Sequence, residues 1–278
     1  ELSTMVDFVG AARETLGDKL DLMIDANQGW PVDLFDETPK WNLEFAIKFV
    51  QGVEQYNIKW LEEPLNRGNF QGLAELRENS KIPIAGGELN STWHDFKAML
   101  DIGSLDIYQP DAVMAGGTYA GGISIVYWLI HEIQKRNNEN KNNTEKLKYC
   151  PHTWTTGLGF AVALQLVGVL PSEERSLFEY PLEGNWKQEY WARFIKGGFT
   201  PDKEGRIKIP DEPGLGIEID WDVIRRFGKR IYQGTNTNVA FHTLLDRGLK
   251  QTMYLKKKKK EQLKRTTKAE FTVPEPPF

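Results

Sequence analysis

Apolar residues along this chain switch repeatedly between two spacings. Met5, Phe8, Val9 and Ala12 fall at helical spacing behind Ser3 and Thr4, which predicts an opening helix capped by those two residues and ended by Gly17. The run LDLMID that follows is too short for a helix and is closed by a turn-forming Asn-Gln-Gly, which predicts a buried strand. The alternation then recurs. Short strands at IKWLEEP, IPIAGGE, LDIYQP, KYCPHTW and SLFEYP are separated by segments of helical period such as Leu43, Ala46, Ile47 and Val50. Strands alternating with helices predict parallel βα units and an α/β fold. From Asp25 through Glu62, Glu88, Asp111 and His152 to Glu179, the strand ends lie 37, 26, 23, 41 and 27 residues apart. Each interval accommodates one crossover helix.

The longest interval contains NNENKNNTEKLK, which reads as an exposed, mobile loop ahead of the strand carrying His152. Residues 181–220 are irregular, and residues 247–268 hold ten Lys or Arg, a composition foreign to the rest. The expected organisation is a catalytic domain over 1–225 and a Lys-rich C-terminal extension over 226–278. At 278 residues and 40% apolar, the chain can bury one large α/β core. A net charge of −4 gives no reason to expect a nucleic-acid partner, and KKKKK at 256–260 reads as a solvated helix face. The single cysteine, Cys150, excludes an internal disulfide framework and redox catalysis by a pair. No basic segment precedes an apolar run at the N-terminus, and no stretch approaches a membrane span, so a soluble, cytoplasmic protein is expected.

In a barrel of parallel strands, residues at the carboxyl ends converge on one rim. Asp25, Glu62 and Glu88 each follow an apolar strand, where burial of an unpaired carboxylate is costly and a bound cation would relieve it. Any one of them alone is more often a cap or a surface residue. Three in successive βα units favour a cation, and monodentate carboxylates suit magnesium better than zinc or copper. Asp111 and His152 end neighbouring strands, so the carboxylate could fix the imidazole tautomer and leave the other ring nitrogen as a base or acid. Glu179 could hydrogen-bond an intermediate, with a structural cap nearly as good an account. Glu63 should point elsewhere along an extended strand, in an outer shell. His94, His131 and His242 are assigned no chemistry. The Gly-Gly pairs at 116–117 and 121–122 match no phosphate-loop motif and read as a tight loop.

With those residues in place, IDANQGW, WLEEPL, GGELN, QPDAVMAGG, PHTWTTGLG and FEYP together resemble the barrel domain of the enolase superfamily, in its mandelate racemase subgroup. The resemblance covers residues 1 to about 225 and implies a TIM-type (β/α) barrel. It implies one Mg2+ per site on Asp25, Glu62 and Glu88, an Asp111–His152 dyad, Glu179 facing the intermediate, and Asn27 at a substrate position. The implied chemistry is abstraction of the proton alpha to a carboxylate, with the metal stabilising the resulting enediolate. Members of this kind carry a capping domain and two barrel strands ahead of the matching region, one bearing a lysine base for the opposite face. Six strands cannot close an eight-stranded barrel, so the sequence is expected to be a fragment, a partial gene model or a piece completed by another chain. A homo-oligomer is expected once the N-terminal part is present.

The leading expectation is a sugar-acid dehydratase acting on an aldonate or aldarate to give a 2-keto-3-deoxy acid. A racemase or epimerase of a 2-hydroxy acid and a non-catalytic fragment are the alternatives. The Asp–His pair argues against lactonising and amino-acid-epimerising relatives, which resemblance would furnish with lysine instead.

Overall fold

Five of the six apolar runs become parallel strands in the computed structural model, which describes residues 2–30, 39–115, 122–140, 146–175, 177–182, 187–229 and 235–266. They are β1 (Leu22–Asp25), β2 (Ile58–Glu62), β3 (Ile84–Gly86), β4 (Ile107–Tyr108) and β5 (Lys148–Tyr149), and they lie in the sheet in sequence order. Asp25 pairs with Glu62, Glu62 with Ala85, Ala85 with Ile107 and Ile107 with Lys148. The acidic ends of β1 and β2 are therefore side by side.

Side chains alternate across this sheet because strand period is two. Leu61, Ile84, Tyr108 and Tyr149 face the helices and join the main core. Trp60, Ala85, Ile107 and Cys150 form a separate cluster on the other face. The helical layer comprises α1 (Leu2–Leu16), α2 (Leu43–Val53), α3 (Phe70–Glu78), α4 (Trp93–Ile102), α5 (Gly122–Glu139) and α6 (Gly157–Val167). Their starts carry local signals: Asn42 accepts from the Phe45 amide, Asn69 from the Gly72 amide, and Thr92 and Asp95 form a capping box. Gly103 ends α4 with φ 72°, a left-handed conformation that favours glycine. Ser3 and Thr4, expected as the α1 cap, lie inside its first turn. Of the expected apolar stripe on α1 only Val9 is buried, because Met5 and Phe8 look out over the free edge of β1, beside Met23.

The expected sixth strand at SLFEYP is not one: residues 177–182 make no ladder. Side chains attach this segment instead. The Cys150 thiol donates to the Leu177 carbonyl at 3.1 Å, and the Thr153 hydroxyl donates to the Glu179 carbonyl at 2.7 Å. Phe160 of α6 then packs on Phe178, Tyr180, Trp191 and Phe199, building a second apolar cluster. A short helix α7 (Gln188–Trp191) supplies Trp191.

The Asn-rich run expected as an exposed loop, 137–148, is helical over 137–139 at the end of α5 and enters β5 at Lys148; its residues 141–145 lie outside the described residues, as do 116–121 with their glycines. At the end of α5, Asn137 grips Leu147 twice: its amide donates to the Leu147 carbonyl and its oxygen accepts from the Leu147 N–H, both at 2.9 Å.

The chain divides into two compact units, the first ending at Ile219 and the second beginning at Asp220. The second contains α8 (Trp221–Phe227), capped by Asp220, and α9 (Asn236–Thr266), broken at Gly248. Lys256 to Lys260 are exposed on α9. Among the described residues, no helix is long and apolar enough to cross a membrane.

Candidate active site at the strand ends

Asp25 is the last residue of β1, and its carboxylate accepts from both the backbone N–H and the side-chain amide of Asn27, each at 2.8 Å. Asn27 adopts φ 50°, a left-handed conformation that asparagine tolerates and that closes this turn. Asp25 stands on the sheet's free edge and is exposed, yet partial desolvation still holds its carboxyl above the usual range, against the opposing hydrogen bonds of Asn27.

Glu62 ends β2 and accepts from the Trp60 indole N–H at 3.2 Å. Burial pushes its carboxyl up to about 7; a hydrogen bond from Gln109 opposes this, and the charge of Asp25 adds to it. Glu63 departs from expectation. Its φ of 43° turns the chain out of extended geometry, and the side chain, expected to point elsewhere, is buried within the same charge cluster. Burial, then the charges of Glu88, Asp25 and Glu62, raise it to about 8. Its Oε2 has no hydrogen-bond partner, and its carboxyl lies so close to Gly29 that a side chain there would collide with it.

Glu88, two residues past β3, is buried and raised by desolvation, with His152 opposing the shift. The loops that carry these acids are stitched together. Gln28 donates its amide to the Glu63 carbonyl, Arg67 its amide to the Gly29 carbonyl, and the Arg67 guanidinium reaches the Leu89 carbonyl.

His152 lies three residues past β5, with Nδ1 3.1 Å from Asp111 Oδ2 and Nε2 3.3 Å from Glu88 Oε2. Asp111 is almost wholly buried, and its other oxygen accepts from the Val113 amide at 2.7 Å, which fixes the carboxylate against the ring. Burial alone would lower the imidazole. The hydrogen bond to Asp111 and the charges of Glu88 and Glu179 outweigh it and raise the ring to about 9. Glu179 accepts from the buried Thr153 amide and hydroxyl, and burial raises its carboxyl as well.

The structure thus brings Asp25, Glu62, Glu88, Asp111, His152 and Glu179 to one rim, as neighbours in contact or in mutual electrostatic range. Among the described residues, no three His, Cys, Asp or Glu side chains stand together at metal-ligand spacing. Asp25 is engaged by Asn27, and Glu88 by His152. The donor set nevertheless has the chemistry of a hard-cation site, with mutually repelling carboxylates and a buried oxygen on Glu63 that lacks a partner. Trp60, Gln109 and Thr153 are site neighbours the sequence did not flag. The only signal available was their spacing, two residues before an acid for Trp60 and Gln109, and one after His152 for Thr153.

The family model described as "Enolase C-terminal domain-like" matches residues 1–121 and 143–223. The chain belongs to this enolase family. A D-galactarolactone cycloisomerase of Agrobacterium fabrum is 30% identical over 224 residues, covering 79% of this chain and 52% of the relative. An L-talarate/galactarate dehydratase of Salmonella typhimurium is 28% identical over 227 residues, covering 79% and 47%. The crystal structure of the 3,6-anhydro-D-galactonate cycloisomerase from Zobellia galactanivorans superimposes with a TM-score of 0.65 at 26% identity, covering 82% of this chain and 56% of that one. Other enolase relatives include gluconate dehydratases and a D-Ala-D/L-Ala epimerase, and a magnesium-bound racemase shares the fold. This chain spans about half the length of the curated relatives it matches. Sugar-acid dehydratases, cycloisomerases and an epimerase are thus all among them.

Proposed function

We propose that this enolase-family chain abstracts the proton alpha to the carboxylate of a sugar acid, with His152 as the base, and expels the β-hydroxyl as water to give a 2-keto-3-deoxy acid. The observation that carries this reading is the placement of His152: Nδ1 is held by buried Asp111 while Nε2 faces the acidic cluster of Asp25, Glu62, Glu63 and Glu88. Asp25, Glu62 and Glu88 are the residues that would hold a magnesium ion. Bound there, it supplies positive charge against the substrate carboxylate and against the acids themselves.

As positioned here, the ring is held protonated by its three carboxylate neighbours. With Glu88 neutralised, Asp111 remains as the main partner and Nε2 falls toward the range of a working base. The C–H bond alpha to the carboxylate then breaks and its proton goes to Nε2. The β C–O bond breaks as that hydroxyl takes the proton and leaves as water, and the enol becomes the keto acid. Glu179, raised by burial and fixed by Thr153, is suited to donate a hydrogen bond to the substrate, and Asn27 to orient it.

The test has two stages. Mg2+ should raise the melting temperature of the wild type, and Glu88→Gln should abolish the rise. A panel of aldonic and aldaric acids in D2O should then give keto-deoxy products that His152→Asn no longer forms. Alpha-deuteration without product would replace dehydration by racemisation. A constitutional isomer of the substrate, formed without loss of water, would favour the second reading, a cycloisomerase, which the 30% identity to the A. fabrum enzyme supports. Exchange undiminished in His152→Asn would end the assignment of the base.

A further inference from the structure

We infer that Trp60 is a positioning residue for Glu62: its indole N–H orients the Glu62 carboxylate for a divalent cation and so sets the affinity of the site. The inference rests on the reading of Glu62 as a metal ligand given above.

The placement follows from strand geometry. Trp60 and Glu62 are two residues apart on β2, so both project from the same face of the sheet. On that face the Trp60 ring is buried among Ala85, Ile107 and Cys150, contributed by β3, β4 and the residue after β5. Ala85 and Cys150 are small, which leaves room for the large ring beneath the acids. An indole N–H can only donate, and when buried it requires an acceptor. Here that acceptor is Glu62 Oε2, at 3.2 Å. A donor seated against buried neighbours on a strand holds a carboxylate more firmly than one on a mobile loop. The Gln109 side chain, one residue past β4, also bonds Glu62, so the carboxylate is held by a donor from its own strand and by one from beyond β3. Trp60 makes no ligand bond itself. Its effect on a cation would pass through Glu62 alone.

Trp60→Phe keeps an aromatic ring in the cluster and removes only the N–H. Calorimetric titration of wild type and Trp60→Phe with Mn2+ should show affinity weakened by about 10–100-fold, the range for loss of a partner that orients a ligand. Equal affinity in a folded Trp60→Phe would overturn the inference while leaving the metal site intact. No binding by the wild type would instead overturn the functional reading, and this inference with it. A second measurement does not depend on the variant folding. In the wild type, the Trp60 indole N–H resonance should move on saturation with Mg2+. An unmoved wild-type resonance in metal-loaded protein would overturn the inference.

Discussion

Two adjacent glutamates at the end of β2 treat the backbone differently. Glu62 continues the strand, whereas Glu63 takes φ 43° and turns its carboxyl back toward the same rim. Alternation in an extended chain places consecutive side chains on opposite faces, which is why the sequence put Glu63 elsewhere. A left-handed residue other than glycine costs about 1–3 kcal/mol. The cost is met by fixed neighbours: the Glu63 amide donates to the Ala85 carbonyl and its carbonyl accepts from Gln28. Buried among Glu88, Asp25 and Glu62, its carboxyl is raised to about 8, so the fold retains a proton that the unfolded chain releases in the ordinary carboxylate range. Metal-free stability contributed by this group is therefore full below about pH 4.5, falls as pH rises through the neutral range, and levels off above about 8. Glu63→Gln removes that decline. Its melting temperature should match the wild type near pH 5 and exceed it near pH 9 by a few degrees, at about 2–4 °C per kcal/mol. An equal offset at both pH values would show that packing against Gly29, rather than charge, decides the matter.

At the scale of elements, what the apolar runs announced is largely what folds, because β1 to β5 bury continuous or alternating faces that propensity alone reveals. The segment from Leu177 to Tyr180 has the same composition and makes no ladder. Nothing in its composition signals that Thr153 and Cys150 hold it through side-chain donors instead. His152 depends on that neighbourhood and also on the placement of β5, which Asn137 secures from the end of α5 by pairing both backbone groups of Leu147. Asn137→Ala leaves those groups without their partner and should lower stability by about 1–3 kcal/mol in chemical denaturation. Asn137→Asp keeps the acceptor for the Leu147 N–H but loses the donor to its carbonyl, and should fall between the two. A loss no larger than for a neighbouring exposed residue such as Asn138 would mean that β5 is placed by its ladder to β4 alone.

For the whole molecule, charge and chemistry are divided along the chain. Asp25, Asn27, Glu62, Glu88, Asp111, His152 and Glu179 all belong to the unit that ends at Ile219, together with Trp60 and Glu63. The unit that begins at Asp220 holds the exposed lysines of α9 and none of those residues. The family match tells the same story from the sequence side, since it is interrupted over 122–142 and stops at 223, close to the junction. The run rich in Lys and Arg at 247–268 stands apart in composition from the mixed apolar periodicity before it, because a solvated helix needs no buried face. If the site is self-sufficient within its unit, a chain ending at Ile219 should bind Mg2+ with the affinity of the full chain and show the same metal-dependent rise in melting temperature. Isothermal titration of both forms, with far-ultraviolet circular dichroism as the control for folding, decides it. A folded but metal-blind truncation would mean that the Lys-rich unit contributes to the site, against the division of charge along the chain.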